Sequence, residues 1–241
     1  MSVLVGAVTS RDAIPVLMES LKRMEHQDYD SAGVAVLNGG NALTVRRCVG
    51  RLSELAKALE GRSGSIGIGH VRWATHGEPS ERNAHPHVSH NSVAVVCNGG
   101  IDNHERLRNM LIENGYEFTS DTDTEVVAHL VHYYLTSSPS LLEAVRVAAG
   151  DMTGEYAIAV VASRKPDVLV AARHGKPVLL GISEGEQFIA SEPGALLPWT
   201  RRVIVLEEGD VAEVKRDDVN IIDALGQPVV RELRSLETHV A

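Results

Sequence analysis

The stretch Val71–His90, VRWATHGEPSERNAHPHVSH, holds the densest collection of reactive and ligand-binding side chains in the sequence. Arg72 offers a planar fork suited to a carboxylate. Trp73 offers a flat apolar cover with one donor. Thr75, His76, Glu78, Asn83, His85 and His87 add polar groups, with Gly77 and Pro79 as punctuation. These twenty residues have no hydrophobic period, and a long loop of that kind inside a compact domain is usually a binding loop or lid. The plainer reading is a polar surface loop. His85, His87 and His90 contain a His-x-His pair, a spacing open to metal binding. No third and fourth ligand stand at matching spacing, so no metal is expected. His70 and His129 lie on apolar faces and read as core or supporting residues. Cys97 ends an apolar run, where a cysteine is usually inert.

The elements flanking this loop must position it. Ser65–His70 and Ser92–Cys97 are apolar runs that read as buried strands. The second runs into Asn98-Gly99-Gly100, where glycines permit backbone angles that expose N–H groups. Asp102-Asn103-His104-Glu105 and Thr122-Asp123-Thr124-Glu125 have the capping-box pattern and open two helices. A third helix is expected from Ser140 to Ala149. Upstream, Met1–Thr9 reads as a strand built into the core. Asp12 caps a helix with apolar residues at Ile14, Leu17, Met18, Leu21 and Met24. Gln27–Gly33 reads as a polar turn, Val34–Leu37 and Leu43–Val49 as a hairpin, and Leu52–Leu59 as a short helix. From Glu155 on, short strands follow one another at regular intervals. Strands, then helices, then strands, without repeated βα alternation, predict two antiparallel sheets layered with helices.

Composition bounds the function. The 241 residues carry a net charge of −9, which gives a nucleic-acid role no electrostatic support. Apolar residues make up 44% and charged residues 23%, ordinary for a globular protein. No apolar run is long enough for a membrane span, and no signal peptide is visible. Two cysteines make no disulfide framework and fit a reducing cytoplasm. No linker or internal repeat appears, so residues 1–241 read as one domain.

Taken together, Tyr29-Asp30-Ser31-Ala32-Gly33, Arg72-Trp73-Ala74-Thr75-His76-Gly77-Glu78-Pro79-Ser80, Asn83-Ala84-His85-Pro86-His87, Asn98-Gly99 and Thr122-Asp123-Thr124-Glu125-Val126 resemble the glutaminase domain of glucosamine-6-phosphate synthases. Leu197 through Glu208-Gly209-Asp210 matches as well. These glutamine–fructose-6-phosphate aminotransferases are class II glutamine amidotransferases of the N-terminal-nucleophile hydrolase type. The resemblance implies an α+β fold, a four-layer α/β/β/α sandwich of two antiparallel sheets. It implies hydrolysis of L-glutamine to glutamate and ammonia, without a cofactor. The ammonia passes to a sugar-isomerase domain that makes glucosamine 6-phosphate from fructose 6-phosphate; that domain would follow Ala241.

Site roles are carried over by the same resemblance. Arg72 would pair with the α-carboxylate of glutamine and Asp123 with its α-ammonium. Thr75 and His76 would line that pocket, and Trp73 would belong to the loop that closes over the ligand. The Asn98 side-chain amide and the Gly99 N–H would form the oxyanion hole. Residue 2 takes the nucleophile's place, with its own free α-amino group as base. This chain has Ser2 where the family has cysteine, Val3 where it has glycine, Gln27 and Asp28 where it has arginine and glycine, and Cys97 where it has histidine. A hydroxyl is much harder to ionise than a thiol. The alternative reading is therefore a catalytically impaired or inactive glutamine-binding regulatory module.

Overall fold

The computed structural model describes residues 2–25, 28–39, 41–75 and 77–236. In chain order the strands are β1 (Val3–Val8), β2 (Ser31–Leu37), β3 (Leu43–Val49), β4 (Ile66–Arg72), β5 (His87–Ser89), β6 (Val93–Gly99), β7 (Tyr156–Ala162), β8 (Lys165–His174), β9 (Leu179–Ser183), β10 (Glu186–Ala190), β11 (Arg202–Val205), β12 (Val211–Val214), β13 (Val219–Ile222) and β14 (Leu233–Ser235). The helices are α1 (Ala13–Lys22), α2 (Leu52–Ala58), α3 (His104–Glu113), α4 (Glu125–Leu135) and α5 (Leu141–Asp151).

The strands form an eight-stranded sheet, β14-β11-β9-β10-β1-β4-β2-β3, and a six-stranded sheet, β13-β12-β8-β7-β6-β5. Every strand pairing within them is antiparallel. Three apolar layers hold the stack together. Residues of α1 and α2 pack on the outer face of the larger sheet, with Leu17, Leu21 and Leu55 fully buried there. Leu4, Ile68, Val96, Ala159 and Leu169 fill the space between the sheets. Residues of α3, α4 and α5 cover the outer face of the smaller sheet. The result is the expected α/β/β/α sandwich. A strand buried on both faces has no polar side, which is why β1 and β7 read as continuous apolar runs rather than alternating ones.

Two placements bring the polar residues together. First, β1 lies in the interior of the larger sheet between β10 and β4, with Val3 opposite Val71 and Val5 opposite Ala190. Ser2 therefore emerges beside the end of β4. Second, side chains alternate along a strand, so Ile66, Ile68, His70 and Arg72 share one face of β4. The first two belong to the apolar layer between the sheets. His70 and Arg72 continue that face as a polar end of the sandwich.

Several local expectations change. β4 runs through Arg72, and β5 takes up His87–Ser89, so the central loop is shorter than its sequence suggests. Its histidines are not surface residues: His85 and His87 are 4% and 2% exposed. The turn before β2 ends at Asp30, because Ser31 already pairs with Val49 and Arg72. Neither capping box forms. The residue before α3 is Asn103, whose side chain bonds the Asp151 carbonyl and the Thr153 N–H instead. Thr124 precedes α4 without a side-chain cap, because its hydroxyl is bonded to His85.

Candidate active site

A cavity of about 530 Å³ opens where β1 begins and β4 and β6 end, with Ser2, Trp73, Thr75, Asn98 and Gly99 in its wall. The Ser2 hydroxyl oxygen accepts the Trp73 N–H at 3.0 Å. The hydroxyl also donates to the Trp73 carbonyl at 3.5 Å, so residue 2 and the tryptophan are joined through two main-chain contacts. Trp73 itself is 47% exposed and forms a rim rather than a floor.

Gly99 ends β6 with φ of +117°, a conformation that L side chains rarely adopt. A Cβ there would lie 2.0 Å from the Glu155 carbonyl oxygen. The same carbonyl accepts the Gly100 N–H at 2.9 Å. The turn is tight because β7 presses against it, so only glycine fits. Asn98 precedes it, opposite Ala157 on β7 and half-buried.

Arg72 and Asp123 lie behind this wall rather than in it. Both are 5% exposed. Arg72 donates to the Gly77 carbonyl at 3.3 Å. Burial pulls its guanidinium below the ordinary arginine value, and Asp30 and Asp123 act against that shift. Asp123 accepts the Ile101 N–H at 2.8 Å and stands next to Gly100, where a Cβ would be 3.2 Å from its carboxylate. Arg72, Asp30 and Asp123 thus form one cluster of opposite charges beside Gly100, which lines the cavity. His76 and Gln27 lie outside the described residues.

Four contributors were not anticipated from sequence as parts of this site. Asp30 accepts the Ala74 N–H at 2.7 Å and holds the first turn of the loop while facing Arg72. Asp102, Glu155 and Lys176 also line the cavity, with Lys176 and Glu155 paired at 3.0 Å. Asp102 reads as a helix cap in sequence, and Lys176 stands in a strand connection without any pattern. Only Asp30, an acid immediately before a buried strand, left a signal.

Cys97 is 3% exposed, and burial, reinforced by Asp123, pushes its thiol well above the ordinary range. It stays protonated at neutral pH, consistent with an inert strand cysteine. His85 and His87 are each bonded to a threonine. Among the described residues, no three His, Cys, Asp or Glu side chains converge to hold a metal ion. Nor is any described helix long and apolar enough to cross a membrane.

A family model described as a glutamine amidotransferase domain matches residues 70–198. The glutamine–fructose-6-phosphate aminotransferase (isomerizing) of Vibrio cholerae is 53% identical over 232 residues, covering 95% of this chain and 38% of that protein. The protein of the same name from Shewanella oneidensis is 52% identical over 241 residues, covering 99% of this chain and 39% of its own length. The chain thus spans about two fifths of these relatives. Among solved structures, glutamine phosphoribosylpyrophosphate amidotransferase from B. subtilis superposes with a TM-score of 0.78 at 23% identity, over 92% of this chain and 49% of that one. That likeness speaks for the fold.

Proposed function

This chain belongs to the glutamine amidotransferase family, and from that premise we propose that it binds L-glutamine and hydrolyses the side-chain amide to glutamate and ammonia. The observation that carries the reading is the gathering of Ser2, Asn98 and Gly99 around one cavity with Arg72 and Asp123 buried at its back. Arg72 would take the α-carboxylate and Asp123 the α-ammonium, with Thr75 and His76 beside them and Trp73 over the ligand. Residues 1–241 would act as a single glutaminase unit. Ammonia would serve amino-sugar synthesis on a sugar-isomerase domain or subunit, converting fructose 6-phosphate to glucosamine 6-phosphate, in the cytoplasm.

The proposed chemistry starts once Met1 is removed. The free α-amino group of Ser2 then takes the hydroxyl proton as Oγ attacks the amide carbon. An α-amine has an ordinary pKa of about 7.7–8.0, suited to accepting a proton near neutrality. The oxygen of the tetrahedral intermediate carries the new negative charge. The Asn98 amide and the Gly99 N–H are the donors for it, and each such donor contributes about 2.7–4 kcal/mol to the transition state. The α-ammonium then protonates the leaving nitrogen and the C–N bond breaks. Ammonia departs and an ester remains on Ser2. Water, deprotonated by the same amine, attacks the ester; the C–Oγ bond breaks, Ser2 Oγ takes that proton back from the ammonium, and glutamate leaves.

The test is glutamate release by the purified protein, with removal of Met1 verified by mass, beside Ser2→Cys and Ser2→Ala. Release that is lost in Ser2→Ala makes residue 2 the nucleophile. Release by Ser2→Cys alone means a sound pocket with a poor nucleophile. No release by either cysteine or serine, with glutamine still bound, leaves a glutamine-binding module.

A further inference from the structure

Behind Arg72 and Asp123 lies a column of three buried imidazoles that the chemistry above does not use. His70, on β4, is 1% exposed, and its ring centroid is 4.4 Å from that of His85. The His85 ring is 4.5 Å from that of His87. The column ends on the two threonines that flank Asp123. His85 Nε2 shares a hydrogen bond with Thr124 Oγ1 at 2.9 Å, and His87 Nε2 shares one with Thr122 Oγ1 at 2.8 Å. Both threonines are buried, at 3% and 2% exposure. The segment Thr122-Asp123-Thr124 is therefore gripped at both flanks by one His-Pro-His segment.

The grip is anchored at both ends. On the sheet side, the His85 carbonyl sits over Gly33 of β2, where a Cβ would lie 2.0 Å from it. His70 shares its strand face with Arg72. On the helix side, the Glu125 carboxylate accepts the Thr119 and Ser120 N–H groups at 2.9 and 2.8 Å and both of their hydroxyls. That fixes the start of α4. Burial holds His70 and His87 neutral, at about 3, and keeps His85 well below its ordinary range. A neutral imidazole can share a hydroxyl hydrogen bond without placing a positive charge beside Asp123.

We infer that His85 and His87 are positioning residues that set the distance between Arg72 and Asp123, and so select ligands that carry an α-carboxylate and an α-ammonium together. The inference rests on the reading of the cavity as a glutamine site. The two imidazoles touch no ligand and act only through Thr122 and Thr124. A rigid column transmits position because close-packed interiors do not deform continuously. Losing one buried hydrogen bond in it releases the carboxylate from its place.

Calorimetric titration of the full chain tests this with two probes, L-glutamine and glutaramate, which keeps the amide and one carboxylate but lacks the α-amine. Thr122→Val and Thr124→Val remove the two hydroxyls from the helix side with little change in shape. His87→Leu removes the imidazole, and His87→Gln returns a polar atom near the Nε2 position. Each hydroxyl loss should weaken glutamine about tenfold and leave glutaramate within about twofold. His87→Gln should recover most of what His87→Leu loses, and the combined His87→Leu, Thr122→Val change should cost no more than either alone. If the histidine variants do not fold, the threonine variants carry the test. Unchanged glutamine affinity in folded threonine variants, or equal losses for both probes, overturns the inference while leaving the glutamine site standing. Absence of glutamine binding by the unaltered chain removes both.

Discussion

At the back of the cavity Arg72 and Asp123 are 5% exposed, held by main-chain bonds and backed by a tilted, edge-on row of imidazoles. At the front Ser2 is half-buried at the tip of β1, and its hydroxyl is held by the Trp73 main chain at the rim. The departures from the pattern that the sequence resembles, at Ser2, Val3, Gln27, Asp28 and Cys97, would fall around the reacting end in the proposed reading. In the proposed reading the cradle keeps the residues that the resemblance calls for. On the proposed function, recognition would sit in the packed interior, where one change disturbs many neighbours. Bond breaking would rest on a few groups at an edge, where a residue can change without loosening the fold. The proposal thus treats affinity and turnover as separable.

The widest separation comes from Ser2→Ala, which should abolish glutamate release in a turnover assay while glutamine affinity stays within about threefold. A large affinity loss would show that the two ends are not independent. Next, Arg72→Ala leaves Asp123 and Asp30 without their buried cation, which costs about 3–5 kcal/mol where a buried pair is broken. Calorimetry should find no measurable glutamine binding. Asn98→Ala removes an oxyanion donor and should lower kcat by about 10²–10³ with little change in KM. A rise in KM instead would move Asn98 from the reacting end to the cradle.

The column also gives the cradle a pH signature. His70 and His87 have folded-state values of about 3, below the ordinary 6.5, so below pH 6.5 the unfolded chain binds protons that the folded one does not. Stability therefore rises with pH in this window and is lost as pH falls from about 6.5 towards 3. Each buried histidine contributes about 1.4 kcal/mol per pH unit there. Glu125, held well below its ordinary value by His129 and Ser120 against the opposing effect of burial, adds stability that is lost in the same direction. Denaturant melts between pH 7 and 4 should show this slope, and His87→Gln should flatten it by about one histidine. The smallest effect is expected at the rim: Trp73→Ala, at a residue 47% exposed, should change glutamine affinity only a few-fold.

The layers were legible in the sequence because buried strands such as Val3–Val8 and Tyr156–Ala162 are written as unbroken apolar runs. Arg72, Asn98-Gly99 and Asp123 were singled out by the family resemblance, and the structure places them at the ends of β4 and β6 and just before α4. What escaped was everything decided by partners far along the chain. His85 and His87 read as loop histidines, because nothing nearby says that Thr124 and Thr122, 39 and 35 residues on, take up their nitrogens. The same bonds explain why Thr124 does not cap its helix, a local preference overruled by a distant one. Glu155 and Lys176 reach the cavity only because β7 lies beside β6.

The place of β1 has a bearing on how the protein is made. Val5 pairs with Gly69 on one side and Ala190 on the other, so the strand that presents Ser2 is not fixed on both sides until residue 190 has left the ribosome. At about 5–20 residues per second, that is on the order of 10–40 s of synthesis. During this interval β1 has its β4 partner but not yet its β10 partner. Closure of the larger sheet around the strand that carries Ser2 is thus ordered in time by strand order alone.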